Sequence, residues 1–600
     1  MYLRCIICNK NKYLKMKKIL IALFIILLFF LTYKKFNTKK DFEKVLYIET
    51  PCSPVTLDPS ISDGEYEARE ISKVYEPLLA YHYLKRPYEI IPELAEEIPT
   101  VSEDGLIYTF KIKKNVFFHD NKCFKDGKGR ELEANDFVFS IKRVADPKLQ
   151  SSLFAFFDEK IVGLNEWREK NVNNEKTDYT EEVEGIKAID KYTLQIKLKK
   201  KCPQFLMIMC MPHTVAIPKE AVDFYVNKFG YNPVGTGPFT IGEYKPQENK
   251  IIAIKNKNYR DKFYPTEACE ELAKKGFLKY AGKKVPFVDK IVTSVILEDQ
   301  PRWLKFKNKD LDIVDLRGMS NLKDKIQGNK ISEELLKKGV LYSMEPRLAT
   351  SMIFFNVTSE PFKNNKYLRQ AISMSIDRER ANSLIYDGVR IVAKGIIPPG
   401  ADGYYENFIN ENSTRNIEKA KELLMKAGYS GGEGLPEIEF LVNNNLTSLR
   451  FAELVKSNLE EIGVKLVVKP VSWAEMRNLT SSGKYQMTTS GWLLDYPDSE
   501  NILSLFFNGK YLEYSGYNDE KFNDIYKSAS EIISSDRIVL YKQLNEILCE
   551  EVPAAPLFHE AAMHMHYSWV KNFVYFDPTH LTYFQYIDID IENRDLLKKR

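Results

Sequence analysis

The sequence predicts an α/β protein of two or more lobes, on three observations. Its 600 residues exceed what one hydrophobic core normally serves. Segments alternating with the strand period of two are interleaved along the chain with amphipathic segments of helical period. The composition, 44% apolar, 12% aromatic and 28% charged, is that of an ordered globular chain.

The net charge of +4 conceals an asymmetry. Residues 1–40 hold ten Lys and Arg and no Asp or Glu, which leaves 77 basic against 83 acidic residues, or −6, for the rest. That body lacks the basic face of a nucleic-acid binder. Ile19 to Leu31 is an unbroken apolar run behind Lys17-Lys18. It has the length of an export-signal core, and Met16-Lys17-Lys18 is an export-signal opening. It is shorter than the ~20 residues of a comfortable membrane span. No small-x-small cleavage site follows it, and no Cys stands at its end to take a lipid; Cys52 is too far downstream. Residues 1–41 are therefore read as a signal or a retained anchor through residues 19–33, and both put the body outside the cytoplasm.

The eight cysteines are scattered. Cys5 and Cys8 form one CxxC without a second pair, so no zinc site is indicated. Cys202 and Cys210 are a candidate disulfide or a pair of buried thiols.

From the start of the body, Lys44 to Thr50 alternates as a strand and Glu65 to Tyr75 reads as a helix behind Ser62-Asp63-Gly64. Leu106 to Lys113 is a second strand. Glu133 to Arg143 is a capped amphipathic helix, and Tyr192 to Leu198 another strand. Asn232 to Phe239 opens a hairpin whose glycines permit positive φ. It is no phosphate loop, since neither Gly-Lys-Ser/Thr nor a helix follows.

The most chemically loaded stretch is Thr489-Ser490-Gly491-Trp492-Leu493-Leu494-Asp495-Tyr496-Pro497-Asp498. A strand (Tyr485 to Thr489) precedes it and a helix (Asn501 to Phe507) follows. A carboxylate among Trp492, Leu493, Leu494 and Tyr496 is poorly solvated, so it wants a cation or several donors. A ligand ammonium would satisfy it, with Trp492 and Tyr496 supplying aromatic walls. A helix-entry turn capped by Asp498 or Ser499 uses the same residues.

Motif order supplies a further reading. Leu57-Asp58-Pro59, Ile91-Pro92-Glu93-Leu94-Ala95, Tyr108-Thr109-Phe110, the Ala134–Arg143 helix and Gly235-Thr236-Gly237-Pro238-Phe239 come first. They are followed by Asn308 to Ile313, Leu368 to Glu379, Glu418 to Tyr429, Leu459 to Val464, the Asp495 stretch, Ser515 to Asn523 and Leu548 to Phe558. In this order, over roughly residues 44–590, the chain resembles the peptide-binding family (family 5) of ABC-importer solute-binding proteins.

The resemblance implies a periplasmic-binding-protein-like class II α/β fold: two lobes joined by a hinge, with an extra inserted domain. By analogy the first lobe comprises residues 42–82, 211–298 and a return over 563–600. The extra domain is 83–210 and the second lobe 299–562. The hinge falls near Val295–Gln300 and His559–Tyr567. The implied function is capture of extended peptides between closing lobes and delivery to the transmembrane subunits of an ABC permease. The implied protein is a monomer, without cofactor and not an enzyme. In relatives the ligand backbone pairs with a segment from each lobe, which gives affinity independent of sequence. Those segments fall here on Asp63-Gly64-Glu65 and Gly491-Trp492-Leu493. The aspartate that meets the peptide ammonium falls on Asp495, with Tyr496 and Phe558 beside the ligand.

Two departures stand out. Asp498-Ser499-Glu500-Asn501 replaces the usual Asp-Pro before Asn. The Arg that takes a dipeptide's carboxylate is replaced at its position by Val442, with no Arg nearer than Arg450, so longer peptides fit better than dipeptides. The family also has nickel-chelate, haem and sugar branches. The competing chemistry lies in His559-Glu560-Ala561-Ala562-Met563-His564-Met565-His566. A zinc protease needs His-Glu-x-x-His on one helix face, and here Met563 holds the fourth position. On a strand, His564 and His566 would share a face. A metal site of His559, His564 and His566, with Met563 and Met565 nearby, is then the alternative, either for a metal chelate or for a hydrolase. No Gly-x-Ser-x-Gly elbow is present.

Overall fold

The computed structural model describes residues 43–319, 322–327, 330–576, 578 and 583–599. The Ile19–Leu31 run and the Cys5–Cys8 pair lie outside them. Among the described residues no helix is long and apolar enough to cross a membrane.

Val45–Thr50 lies parallel to Lys290–Val295, which continues antiparallel to Lys250–Lys255 and then Phe239–Ile241. The helix Glu65–Val74 buries Ala68, Ile71 and Val74, as the i, i+3, i+6 spacing of those residues requires. A second four-stranded sheet, in the order Thr100–Val101, Ile107–Lys111, Thr193–Lys197, Ile186–Asp190, carries the helix Ala134–Val144. Glu133 and Asp136 close a reciprocal capping box at that helix's start. All of this shares one contiguous core.

The largest sheet has seven strands. Its order is Ile313–Asp315, Ala554–Tyr567, Val340–Phe355, Met487–Leu493, Ile438–Asn443, Leu466–Val471, with Ile391–Val392 also on Ala554–Tyr567. Two of its strands, 16 and 14 residues long, run antiparallel to each other from one core into another. Val340, Met563, Met565 and Tyr567 pack in the first core, whereas Ile353, Phe355, Ala555 and Leu557 pack in the second. Their register breaks between Pro346 and Thr350, and again between Ser351 and Met352, where the pair leaves one core for the other. Phe306, Leu311, Val314 and Val340, expected in the second lobe, pack in the first core.

Several motifs turn out to be fasteners between distant segments. Asp58 of Leu57-Asp58-Pro59 accepts both guanidinium nitrogens of Arg143 at 2.6 and 2.7 Å, both side chains being buried. Glu93 holds Arg260 and, at 2.5 Å, Lys262. Gly235 and Gly237 are not at positive φ, contrary to the sequence expectation. They are glycines because a Cβ would stand 2.2 and 2.6 Å from the Val74 carbonyl, at the end of the first helix. Cys202 and Cys210 are separate, buried thiols.

Candidate functional site

The strand expected over Tyr485–Thr489 begins at Met487 and runs on to Leu493. Pairing extends it: Ala349, Thr350 and Ser351 of the neighbouring long strand stand opposite Leu493, Trp492 and Gly491. On its other side the strand pairs with Ile438–Asn443 only at Met487 and Thr488. From Thr489 to Leu493, among the described residues, that edge has no strand against it, and Gly491 is exposed. Such an edge presents a row of peptide N–H and C=O groups to an incoming strand.

The chain then turns. Asn501, in the short helix Glu500–Leu503, fixes the turn with one side chain. Its Oδ1 accepts from the Trp492 indole at 2.6 Å and from the Asp495 amide at 3.2 Å, while its Nδ2 donates to Asp495 Oδ2 at 3.0 Å. This leaves the Asp495 carboxylate half-buried beside the Trp492 ring. Asp498 is fully buried and binds Arg537 at 2.8 Å, with the Glu500 amide on its other oxygen at 2.9 Å. It anchors the turn more than it caps the helix.

Trp492, Asp495 and Tyr496 open onto a cavity of about 480 Å³. Across it stand Ser62, Asp63 and Gly64, and Lys160 and His213 from the region of the second sheet. Asp63 accepts a hydrogen bond from Ser152 at 2.8 Å, and Gly64 is the N-cap of Glu65–Val74. The Tyr496 hydroxyl donates to Glu500 at 2.8 Å. Burial pushes the Glu500 carboxyl up, the charge of Asp498 adds to that, and hydrogen bonds from Tyr526 and Tyr496 oppose it. The cavity therefore offers carboxylates at Asp63 and Asp495, cations at Lys160 and Lys510, aromatic walls and an open strand edge.

Asp63, Gly64, Trp492, Asp495 and Tyr496 thus come together, with Gly491 and Leu493 on the adjoining edge. Two expected site residues do not join them. Glu65 points away from the cavity toward the crossing strands, where it binds Arg317 at 2.8 Å and Arg347 at 2.9 Å. Phe558 is buried in the second core against Tyr386, its ring centroid 5.1 Å away. Strand alternation turns its side chain inward. Asn501, Lys160 and His213 were missed. Asn501 had a signal, six residues past Asp495 in a predicted helix; the other two come from distant segments and had none. Val442 is fully buried in the second core and Arg450 is exposed.

The histidine cluster is a strand, as its alternation allowed. His564 and His566 share a face against Phe573, at 5.5 and 5.3 Å. His559 is buried with Nδ1 2.9 Å from Thr350 Oγ1, and burial pushes its pKa down to about 3. Glu560 is held by Arg390 at 2.9 Å and Arg347 at 3.2 Å. Among the described residues no three His, Cys, Asp or Glu side chains are grouped to hold a metal ion. The three-histidine site is not assembled, and the extended backbone removes the helical His-Glu-x-x-His geometry.

Comparison with known proteins gives a consistent picture. The dipeptide-binding protein of Escherichia coli is 27% identical over 519 residues, 84% of this chain and 86% of that protein. Heme-binding protein A of Haemophilus influenzae is 26% identical over 88% of this chain and 89% of its own length. Among solved structures, HbpA2 from Haemophilus parasuis superposes with a TM-score of 0.72 at 25% identity, covering 91% of this chain and 99% of its own. The periplasmic binding protein DppA from Helicobacter pylori, in complex with the peptide STSA, gives 0.68 at 23% identity, covering 91% and 98%. The family model described as bacterial extracellular solute-binding proteins, family 5 (middle region), matches residues 89–513. Spanning well over half the sequence, that match makes this chain a member of family 5 of the bacterial extracellular solute-binding proteins.

Proposed function

We propose that this chain captures extended peptides in the 480 Å³ cavity and hands them to an ABC permease, acting as a monomeric binder without turnover. The observation that carries the reading is the open edge Thr489–Leu493 leading to the half-buried Asp495. A peptide can add to that edge by backbone hydrogen bonds, while its ammonium meets Asp495. Asp63-Gly64 offers the second pairing segment from the opposite wall. Closure would bring residues 42–82, 211–298 and 563–600, with Phe306, Leu311, Val314 and Val340 that share their core, toward the part of 299–562 beyond Val340, with 83–210 as the extra domain. The two long antiparallel strands, which run from one core into the other, would act as the hinge; the connection after Val295 stays within the first core. The Ile19–Leu31 run would hold the body to the outer face of the cytoplasmic membrane or be cleaved as a signal; a chain lacking residues 1–41 that still sediments with membranes sinks the anchor reading.

The test is thermal melting of the full chain against pooled peptides of two to eight residues. A ligand that binds the folded state raises the melting point by mass action. The rise should disappear in Asp495→Ala and with N-acetylated peptides. A second reading, a haem or other metal chelate, follows the name of the Haemophilus influenzae relative. It would be favoured by a rise with haem and none with any peptide.

A further inference from the structure

A second cavity, of about 590 Å³, opens along the same strand at the end away from Asp495. Thr488, Thr489 and Ser490 form one wall, and the helix Trp473–Ser481 forms another through Trp473 and Arg477. Tyr514 belongs to this cavity and meets Trp492 of the first edge to face at 5.5 Å, so the two cavities adjoin. Among the described residues lining it, Arg477 is the one cation and Glu513 the one acid. The Arg477 side chain is exposed, and no hydrogen bond or ion pair with a described residue occupies its guanidinium.

The strand sets a register between the two ends, if the peptide reading above holds. A peptide with its ammonium at Asp495 that pairs with the open edge must run antiparallel to Met487–Leu493, residue against residue. Its first residue then lies opposite Leu493, its third opposite Gly491, and its fourth and fifth opposite Ser490 and Thr489. At Thr488 the edge is already taken by Leu441. The ligand must leave the strand there, and the space it leaves into is the cavity that holds Arg477.

We propose that Arg477 receives the C-terminal carboxylate of the bound peptide, which makes this chain selective for free-acid peptides of roughly four to six residues by the one-to-one register of paired strands. A dipeptide or tripeptide ends opposite Trp492 or Gly491, short of any cation in this wall. That agrees with Val442, which offers no charge for a shorter ligand's terminus.

Titration calorimetry on the full chain with alanine-rich peptides of two to eight residues, as free acids and as C-terminal amides, tests this. The expected result is tightest binding at four to six residues. Amidation should weaken the pentapeptide about tenfold, the loss of one exposed charge-assisted pair. In Arg477→Gln the acid and the amide should bind alike, while Arg477→Lys keeps part of the difference. Both variants change one exposed position of the helix Trp473–Ser481, and melting curves matching the parent verify folding. Binding that is abolished by N-acetylation yet indifferent to amidation overturns the role of Arg477 and leaves the peptide reading standing. So does an amide penalty that persists in Arg477→Gln. No binding by any peptide overturns both.

Discussion

Replacing Arg537 by Met isolates what holds the ligand turn in place. Asp498 has no exposure and Arg537 only 8% of its side chain exposed, with contacts of 2.8 and 3.2 Å between them. The substitution leaves Asp498 with the Glu500 amide at 2.9 Å and the Gln204 amide at 3.4 Å, and with the buried Glu500 carboxyl nearby. Stranding one member of a buried pair costs about 3–5 kcal/mol, far more than a surface pair is worth. At about 2.1 cal/mol/K per residue, the unit Val45–Arg600 unfolds with an entropy of roughly 1.2 kcal/mol/K, so the melting point should fall by about 2–4 °C. Asp498→Asn combined with Arg537→Met removes both charges of the buried pair and should recover most of the loss; Asp402, which lies 3.5 Å from Arg537, is exposed enough to keep water in its place. Because Asp495 lies three residues upstream on the same turn, peptide affinity should fall in the single variant and return in the double. Scanning calorimetry with and without peptide reads both effects. A fall under 1 °C, or a double variant no better than the single, would refute the argument that this pair anchors the turn.

Other perturbations give different signatures. Gly237→Ala places a Cβ 2.6 Å from the Val74 backbone carbonyl, so it should cost about 1–3 kcal/mol in a denaturant titration. Gly64→Ala meets only the far end of the flexible Glu67 side chain, so its cost should be no more than the ~1 kcal/mol of a poorer N-cap, below that of Gly237→Ala. Arg347→Met removes the links to Glu65 and Glu560, yet those carboxylates keep Arg317 and Arg390. It should therefore cost only about 1–2 kcal/mol, well below Arg537→Met. The buried His119 and His559 and the half-buried His564 and His566 have pKa values pushed down to about 4, 3, 4 and 4, with desolvation as the leading cause in each. Each is neutral when folded and charged more readily when unfolded. Stability should be full above about pH 6.5 and fall as the pH drops from there toward 4, and His559→Gln should flatten that slope in acid titrations followed by circular dichroism.

The parts of this molecule legible in the sequence are those set by local pattern. The Glu65–Val74 and Ala134–Val144 helices and the strands at Val45–Thr50 and Ile107–Lys111 stand within two residues of where their periodicity put them. Asp495 drew notice because its neighbours are apolar, and that is a local signal too. What the sequence hid was decided at long range. Gly491 interrupts a strand pattern, so only pairing with Ala349–Ser351, some 140 residues earlier, shows that the strand continues through it. Glu65 looked available beside Asp63-Gly64, but Arg317 and Arg347 claim it from more than 250 residues away. The glycines of Gly235-Thr236-Gly237 read as turn-formers; the demand on them is proximity to Val74, which no local pattern reveals.

The misplacement of Glu65 also connects the ligand wall to the crossing strands. Gly64 ends the segment that faces the cavity, and the next residue binds Arg347, one residue past Pro346, where the register of the long strands breaks. Arg347 in turn binds Glu560 on the partner strand. On the proposed peptide reading, a ligand backbone that displaced Asp63-Gly64 would act, within one residue, on a charge chain that spans both long strands at their irregular point. Irregular pairing is where two strands can shift relative to each other at least cost, since no complete ladder has to be broken. Placing a tightly bound carboxylate there, instead of in the cavity, makes the first helix report on the geometry of the crossing.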